Sequence, residues 1–339
     1  MKCVKIKGQK QMEISELEQP KSVNGSVVLK VNSCGICGSD IHYWVSGAQQ
    51  GLVMGHEFAG TVVDAGTRAD LKPGDRVTGL PISPCGKCEP CKSGNPQYCK
   101  KTWSEAVGLS LTNPGGYAEY TSCRADMIRK IPDNVTDDEA AMVEPSAVAL
   151  HAINLANIKV GDKVLIIGGG IIGLMSAEFA RLNGATYIAM IETNENRGNK
   201  ALNYGKVDDF YNATDKDVIS KMMEITNGGF DKVIECCGSS AAVSEAIMTV
   251  KQAGTIVLVG VSLTPITIPT VISVMAEVTI QGAIAYTEKE FDECLKLIAD
   301  KKLNVEKYID AKVSLEDAQE SFERLTNGND SAVKIIFKP

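Results

Sequence analysis

The sequence is poor in several residue types, and each shortage excludes a class of protein. Only three of its 339 residues are histidines, so few positions can supply an imidazole to a catalytic or metal site. Its apolar runs have the length of strands and are far too short to cross a bilayer. Basic residues number 35 against 42 acidic ones, and the net charge of −7 argues against nucleic acid or an anionic membrane as the main partner.

The first residues also lack the apolar stretch of a secretory signal peptide, so we expect the protein to be cytoplasmic. The cytosol is reducing, and the odd number of 11 cysteines fits free thiols and metal ligands better than disulfides. With 44% hydrophobic and 23% charged residues, the chain has the composition of a globular protein long enough for two domains.

Four of the cysteines lie within 15 residues, at positions 85, 88, 91 and 99. The spacing of Cys85, Cys88 and Cys91 is C-x2-C-x2-C, and Cys99 follows after a short loop that contains glycine and proline. Four thiolates at such spacing suit one tetrahedral zinc ion in a closed site. Two disulfides are the alternative, but they are not expected in a reducing compartment. The sequence therefore predicts a structural zinc site.

The pattern of residues changes near position 150. Up to that point, short strands at 27–31, 59–63 and 76–78 are separated by glycine and proline, which is typical of a compact β-rich domain. From position 163 onward, apolar strands at 164–167, 187–191, 232–235 and 256–260 alternate with helices. Such alternation predicts a parallel sheet covered on both faces, and hence an α/β protein.

A glycine-rich motif follows the strand at 164–167 and begins the next helix. Residues 168–173 satisfy G-x-G-x-x-G in the context that a dinucleotide-binding loop requires. Gly168 allows the tight turn, Gly170 lets the pyrophosphate approach the backbone, and Gly173 allows the helix to pack closely on the strand. These three glycines are predicted to bind the cofactor, together with Ile172, which lies between Gly170 and Gly173.

An acidic residue about twenty positions further on indicates which dinucleotide is bound. Glu192 ends the second strand, where a carboxylate accepts hydrogen bonds from the adenosine ribose and repels a 2′-phosphate. The sequence therefore favours NAD over NADP, although Arg197 is close enough to leave NADP open.

A second group of possible metal ligands comprises Cys37, His56 and Glu57. Thiolate, imidazole and carboxylate all bind zinc, but their spacing alone is a weak signal. Together with the four-cysteine segment, the Val-Glu-Pro sequence at 143–145 and the glycine motif, the chain resembles the zinc-dependent alcohol dehydrogenase branch of the medium-chain dehydrogenase/reductase superfamily. Residues 37–44 and 142–145 resemble most the polyol group, which includes sorbitol, galactitol-phosphate, butanediol and threonine dehydrogenases.

The resemblance covers essentially the whole chain and implies a domain order. Residues 1–150 would form a GroES-like catalytic domain that includes the structural zinc lobe, which is the four-cysteine loop at 85–99. Residues 151–287 would form a Rossmann domain that binds NAD. Residues 288–339 would return to the first domain. The resemblance also implies a homodimer or homotetramer, and residues 271–282, which are rich in predicted strand, could pair with another subunit.

The resemblance further implies a catalytic zinc, which makes two Zn²⁺ ions per chain, and a role for each nearby residue. Cys37 and His56 would ligate the ion. Either Glu57 or Glu144 would complete the ligand set directly, and the other would act through water. Asp40 would orient the histidine, because a carboxylate commonly accepts from the second ring nitrogen of a zinc ligand. Ser39 would bind the substrate hydroxyl and His42 would pass its proton to solvent, so that a secondary alcohol or polyol is oxidised to a ketone.

One departure from the sorbitol-type pattern concerns the substrate. Residues 282–286 contain no arginine where sorbitol dehydrogenases tend to carry one, and the loop at 46–52 is short. Both differences argue for a smaller or differently shaped secondary alcohol.

Three alternative functions remain open. The protein could act on an amino alcohol, as threonine dehydrogenase does, it could be a zinc-free reductase, or it could be a nucleotide-binding protein without activity. Trp44 is interpreted as either a wall of the substrate pocket or a core residue.

Overall fold

The computed structural model describes residues 1–204 and 206–339, which divide into two compact units. Unit 1 comprises Met1–Ala147 together with Tyr286–Pro339, and unit 2 comprises Val148–Ala285. The sequence prediction placed the two divisions at residues 150 and 287. The C-terminal segment thus belongs to the same unit as the N-terminal half of the chain.

The described residues contain 15 strands, and in chain order they are β1 Lys2–Gly8, β2 Gln11–Glu16, β3 Val27–Gly35, β4 Glu57–Asp64, β5 Arg76–Gly79, β6 Tyr120–Cys123, β7 Ile128–Lys130, β8 Lys163–Ile167, β9 Tyr187–Glu192, β10 Asp209–Asn212, β11 Phe230–Glu235, β12 Val250–Leu258, β13 Thr279–Gly282, β14 Ala311–Val313 and β15 Ile335–Phe337.

The α-helices of the same residues are α1 Gly38–Ser46, α2 Glu89–Lys92, α3 Asp137–Ala141, α4 Val143–Ala156, α5 Ile171–Leu182, α6 Glu195–Asn203, α7 Val218–Thr226, α8 Ser240–Thr249, α9 Thr270–Met275, α10 Glu288–Ala299 and α11 Ala318–Thr326. Short 3-10 helices occur at Pro96–Tyr98, Ala125–Met127, Glu306–Tyr308 and Leu315–Asp317.

Unit 1 is rich in β-structure, as its sequence predicts. Its larger sheet has seven strands in the order β14-β15-β3-β4-β5-β7, with β6 also paired to β3, and β1 and β2 form a separate hairpin. The pairing of β3 with β4 is antiparallel and sets Gly35 opposite Glu57. β15 pairs with the same end of β3, where Ile336 lies opposite Gly35. Residues from distant parts of the chain therefore meet at this end of β3.

Unit 2 contains a six-stranded sheet in the order β10-β9-β8-β11-β12-β13, and every neighbouring pair is parallel. Leu165 and Ile167 of β8 pack into a buried apolar cluster with Ala246 and Ile247 of α8. Ile166, which points to the opposite face, is also fully buried. Strands buried on both faces need continuous apolar sequence. The predicted α/β class, with a β-rich domain and a doubly wound parallel sheet, is confirmed.

The prediction of mainly strand for residues 271–282 was wrong for the first half of this segment. Thr270–Met275 forms α9, with Pro269 at its N-cap, and only Thr279–Gly282 forms a strand. The prediction relied on β-branched residues such as Val271 and Ile272. Strand propensity is weak where a segment does not pair with a neighbouring strand, and a proline is well suited to the start of a helix.

Trp44 is a core residue of unit 1. Its side chain is 2% exposed, and its ring centroid lies 5.6 Å from that of Phe322 on α11. Of the two interpretations that the sequence left open, the structure therefore supports the core position. No helix in the described part of the chain is long and apolar enough to cross a membrane.

Candidate active site and metal centres

The four cysteines of the loop at 85–99 converge on one point in unit 1. The sulfur atoms of Cys85, Cys88, Cys91 and Cys99 all lie within 4.8 Å of one another. Cys88 is the N-cap of α2 and Cys91 lies on that helix, so one turn brings these two sulfurs to 3.4 Å. Four sulfur donors at such distances match the ligand set of a closed tetrahedral zinc site.

Backbone hydrogen bonds favour the thiolate form of Cys99, which is the form that metal binding requires. The N–H groups of Cys85 and Lys101 each donate to the Cys99 sulfur at 3.4 Å. These hydrogen bonds, that from Cys85 first, lower the pKa of the Cys99 thiol to about 6. All 11 cysteines of the chain are described, and all are free thiols, so the four sulfurs remain available for a metal.

A second group of possible metal ligands, with different donor atoms, lies at the end of β3 in the same unit. Cys37, the N-cap of α1, meets His56 and Glu57, and their ligand atoms lie within 4.8 Å of one another. The antiparallel pairing of β3 with β4 brings these chain segments together. A sulfur, an imidazole nitrogen and a carboxylate oxygen form a donor set that zinc accepts with a position left open.

One polar atom in this group, Oε1 of Glu57, is buried without a hydrogen bond, which supports the interpretation as a metal centre. Glu57 itself is 1% exposed. Buried polar atoms are nearly always hydrogen-bonded, so each exception calls for an explanation. A bound ion next to Glu57 would supply the missing partner at that oxygen.

Asp40 lies beside the histidine, as predicted. Its Oδ1 is 3.5 Å from Nδ1 of His56, while Oδ2 accepts from the Cys37 N–H at 3.0 Å and from the Tyr117 hydroxyl at 2.6 Å. The carboxylate is fully buried. It faces Nδ1, so Nε2 is the ring nitrogen available to a metal. The sequence did not indicate that Tyr117 holds Asp40.

Glu144 also lies in unit 1, but within the described residues it is not part of the group of ligand atoms formed by Cys37, His56 and Glu57. Its Oε1 accepts from the Tyr286 hydroxyl at 2.9 Å, and burial raises the pKa of its carboxyl to about 7. Of the two glutamates between which the sequence did not decide, the structure brings Glu57 to Cys37 and His56.

Ser39 and His42 both lie on α1, three positions apart and hence on one side of the helix. The Ser39 hydroxyl is 3.5 Å from Nε2 of His56, the nitrogen that faces away from Asp40. His42 is exposed to solvent. The structure thus brings Ser39 to the candidate metal centre and leaves His42 at the surface.

The glycine motif of unit 2 forms a tight turn between β8 and α5. Gly168 has φ +104°, and a Cβ at Gly173 would lie 1.9 Å from the Gly168 carbonyl oxygen, so a side chain at position 173 would push the helix away from the turn. Gly170 is the N-cap of α5, and a Cβ there would meet no atom within 4 Å. The half-buried Ile172 follows in the first turn of the helix. Open space at a helix N-terminus suits a phosphate group.

Glu192 ends β9 next to this turn. Its Oε2 accepts from the Gly169 N–H at 2.7 Å, and its Oε1 accepts from the N–H groups of Thr193 and Asn194. Arg197 lies in the first turn of α6, where its N–H donates to the side chain of Asn194. The Thr193 hydroxyl also donates to Oε1. The carboxylate is therefore held in place, and Oε2, which among the described residues accepts from Gly169 alone, keeps a lone pair for a ribose hydroxyl.

Comparisons with known proteins agree with this geometry. Residues 23–133 match the alcohol dehydrogenase GroES-like domain, and residues 172–300 match the zinc-binding dehydrogenase family. Sorbitol dehydrogenase of Bombyx mori is 30% identical over 98% of the chain and 97% of its own length. For (R,R)-butanediol dehydrogenase of Bacillus subtilis, identity is 33% over the full length of both proteins.

The chain belongs to the zinc-dependent medium-chain alcohol and polyol dehydrogenases. Among solved structures, one described as a zinc-binding dehydrogenase of Sinorhizobium meliloti bound to NADP has a TM-score of 0.90 and 28% sequence identity. The match covers 100% of this chain and 99% of the other. An Escherichia coli alcohol dehydrogenase in complex with NADH has a TM-score of 0.91, 25% identity, and the same coverage. The predicted family and its oxidoreductase activity are thereby confirmed, and the cofactor is a nicotinamide dinucleotide.

One buried residue beside Cys37, His56 and Glu57 was not identified from the sequence. Lys334, just before β15, is fully buried, and its Nζ lies 2.6 Å from Oε2 of Glu57. Burial acts to lower the pKa of Lys334, but the charges of Glu57 and Cys37 outweigh it, and the pKa is raised. No local motif surrounds Lys334, and only the presence of a lysine in the otherwise apolar segment 332–337 could have drawn attention to it.

Proposed function

We propose that this protein oxidises a secondary alcohol or polyol to the ketone, reversibly, with NAD as the hydride acceptor and zinc as the catalytic metal. The convergence of Cys37, His56 and Glu57 at one end of β3 is the observation that carries the proposal. The relatives named sorbitol and butanediol dehydrogenase support the substrate class.

Two zinc ions per chain fit the two convergent donor sets. Cys37, His56 and Glu57 would hold the catalytic ion, and Cys85, Cys88, Cys91 and Cys99 the structural one. Glu144, held by Tyr286, would take part through water. When bound, zinc supplies a Lewis acid that lowers the pKa of the substrate hydroxyl, and the nicotinamide accepts the hydride.

The residues of α1 would orient the substrate and remove its proton. The Ser39 hydroxyl, 3.5 Å from Nε2 of His56, is in reach of a hydroxyl group bound at the metal. His42, exposed on the same side of the helix, would release the proton to solvent. Asp40 would keep His56 in one orientation, and Tyr117 and the Cys37 N–H in turn hold Asp40.

The preference for NAD rests on Glu192. Its carboxylate lies beside the glycine turn and is fixed by backbone N–H groups. A fixed negative charge there accepts from ribose hydroxyls and repels the 2′-phosphate of NADP. Gly168, Gly170, Ile172 and Gly173 would line the pyrophosphate, and Arg197 would lie near the adenosine end.

Self-association would use β13 and α9, which together we call the edge surface (270–282). Within the described residues β13 is the last strand of its sheet, and it pairs with β12 alone. On α9, Val271, Val274 and Met275 are 70%, 74% and 78% exposed. An open strand edge beside exposed apolar residues favours pairing with a second copy, giving a homodimer or, by association of dimers, a homotetramer.

The free state of all the thiols supports a cytoplasmic location.

The test is NADH formation from NAD against a panel of polyols, sugar phosphates, diols and threonine, with and without a zinc chelator. Chelator-sensitive turnover of a diol or polyol is the expected result. Turnover of threonine alone would assign an amino-alcohol substrate instead. If the protein contains two zinc ions and binds NAD but turns over no alcohol, the proposed activity is wrong.

A further inference from the structure

The two oxygens of the Glu57 carboxylate have different surroundings. Oε2 accepts from the Lys334 ammonium at 2.6 Å. Oε1 is buried and has no hydrogen bond. Lys334 and Glu57 have side chains that are 0% and 1% exposed, so this ion pair is shielded from solvent. A charged pair in such a position persists only if both charges remain matched.

The same ammonium also contacts the chain segment that carries Cys37. Nζ of Lys334 donates to the Ile36 carbonyl at 2.8 Å, one residue before the candidate ligand. The backbone of Lys334 is itself held, because its N–H donates to Asp310 at 3.1 Å and the Ile36 N–H donates to the Ile335 carbonyl at 3.0 Å. One lysine thus joins the two chain segments that carry Cys37 and Glu57, and it lies just before the C-terminal strand β15.

Gly35 leaves room for the carboxylate on a third side. A Cβ at this position would lie 2.0 Å from Oε2 of Glu57. A side chain at position 35 would therefore have to displace this oxygen from Lys334. Glycine at position 35 thus permits the contact between Lys334 and Glu57.

We infer that Lys334 is a positioning residue for the metal centre: it engages one oxygen of Glu57 so that only the other faces Cys37 and His56. The inference rests on the proposed function, because it supposes that zinc binds to these three residues. Ligation through one oxygen would leave the ion a position for the substrate hydroxyl beside Cys37, His56 and Glu57. Lys334 also offsets the negative charges of Glu57 and of the Cys37 thiolate in a buried site.

A double-mutant cycle tests the inference through zinc binding, with no need of substrate. The variants are Lys334→Met, Glu57→Gln, the two combined, and Lys334→Arg, which keeps the charge. Zinc affinity is measured by competition with a chelator, and the four-cysteine site of each protein serves as the internal reference. We expect Lys334→Met to weaken the second zinc by roughly 10–100-fold, as for partners of metal ligands elsewhere, and Lys334→Arg to restore part of it. The lobe zinc should be unchanged.

In the Glu57→Gln background, Lys334→Met should cost little further affinity, because Lys334 is inferred to act through Glu57. This comparison remains informative if Lys334→Met alone does not fold, since the combined variant has no unmatched buried charge. Wild-type zinc affinity in folded Lys334→Met, or equal losses in both backgrounds, would overturn the inference. A wild-type protein that binds only the lobe zinc would instead overturn the proposed catalytic centre.

Discussion

Glu192 accepts a hydrogen bond from the backbone N–H of Gly169, at 2.7 Å, and so connects the end of β9 to the glycine turn after β8. The acidic residue predicted to bind the ribose therefore also holds the loop predicted to bind the pyrophosphate. A change at Glu192 should for this reason affect the cofactor in two ways.

Replacement of Glu192 by glutamine should reduce the preference for NAD over NADP. The amide oxygen can still accept from Gly169, although the amide NH2 then faces the N–H groups of Thr193 and Asn194, and the negative charge that repels a 2′-phosphate is lost. We expect the ratio of kcat/KM for NAD to that for NADP to fall by about tenfold or more, which corresponds to about 1.4 kcal/mol. Glu192→Ala, which also frees the turn, should raise KM for both cofactors. An unchanged ratio in Glu192→Gln would show that selection occurs elsewhere.

Replacement of Cys37 by serine or His56 by alanine should abolish turnover and leave NAD binding intact. Each change removes one ligand of the proposed catalytic zinc, and we expect kcat to fall by at least about 10³-fold. Metal analysis should show one zinc per chain in place of two. Cys34→Ala is the matched control, because Cys34 is a fully buried core thiol three residues from Cys37, and its loss should leave both ions bound. Turnover in both ligand variants would exclude the mechanism.

Replacement of Cys91 by serine should destabilise the protein through the lobe. Its sulfur is one of the four that lie within 4.8 Å of one another, and three thiolates hold zinc less firmly than four. We expect loss of one zinc and a Tm lower by more than about 5 °C. Cys237→Ser provides the control, since Cys237 is exposed and lies outside both donor sets. A normal Tm in Cys91→Ser without its zinc would mean that the lobe ion contributes nothing to stability.

Asp138 should make the protein sensitive to acid. Its carboxylate accepts from Ser33 and from Lys338 at one oxygen and pairs with Lys312 at the other, at 2.5–2.7 Å. Burial opposes the charge, but these partners outweigh it and lower the pKa of Asp138 from 3.8 to about 2. Because the pKa is lower in the folded state, the stabilisation is complete above about pH 5 and is lost as the pH falls through about 2; it amounts to at most roughly 2 kcal/mol.

Asp138→Asn should accordingly reduce the free energy of unfolding at pH 7 and flatten its dependence on pH below about 5. Urea titrations at several pH values measure both effects. Asp133→Asn, a change at an exposed carboxylate in the same region, should behave as the wild type. An identical acid profile for wild type and Asp138→Asn would show that the three partners add no net stability.

A charge on the edge surface should disrupt self-association. Val274→Asp introduces a carboxylate on α9, where the wild-type side chain is 74% exposed, and burying that charge against a second copy would be costly. Sedimentation analysis should show a smaller species than the wild type. Val160→Asp is the matched control, because Val160 is 87% exposed and lies outside the edge surface. If Val274→Asp sediments as the wild type does, the subunits associate through another face.

Local sequence determined much of this protein, and for identifiable reasons. The helix–strand alternation after residue 163 reflects burial on both faces of a parallel sheet, a requirement that each strand meets within its own few residues. The glycine motif is similar, since Gly168 and Gly173 meet within one turn. The convergence of Cys85, Cys88, Cys91 and Cys99 also involves a single loop, so spacing carries the information.

Only the tertiary structure decided which glutamate joins Cys37 and His56. That choice depends on the register of β3 with β4 and on Tyr286, which engages Glu144. Lys334 reaches Glu57 across 277 positions of sequence, and no local pattern records the antiparallel pairing of β15 with β3 that brings them together. Local sequence thus specifies motifs whose members are neighbours along the chain, whereas sites built from distant segments depend on strand pairing, which is a property of the whole fold.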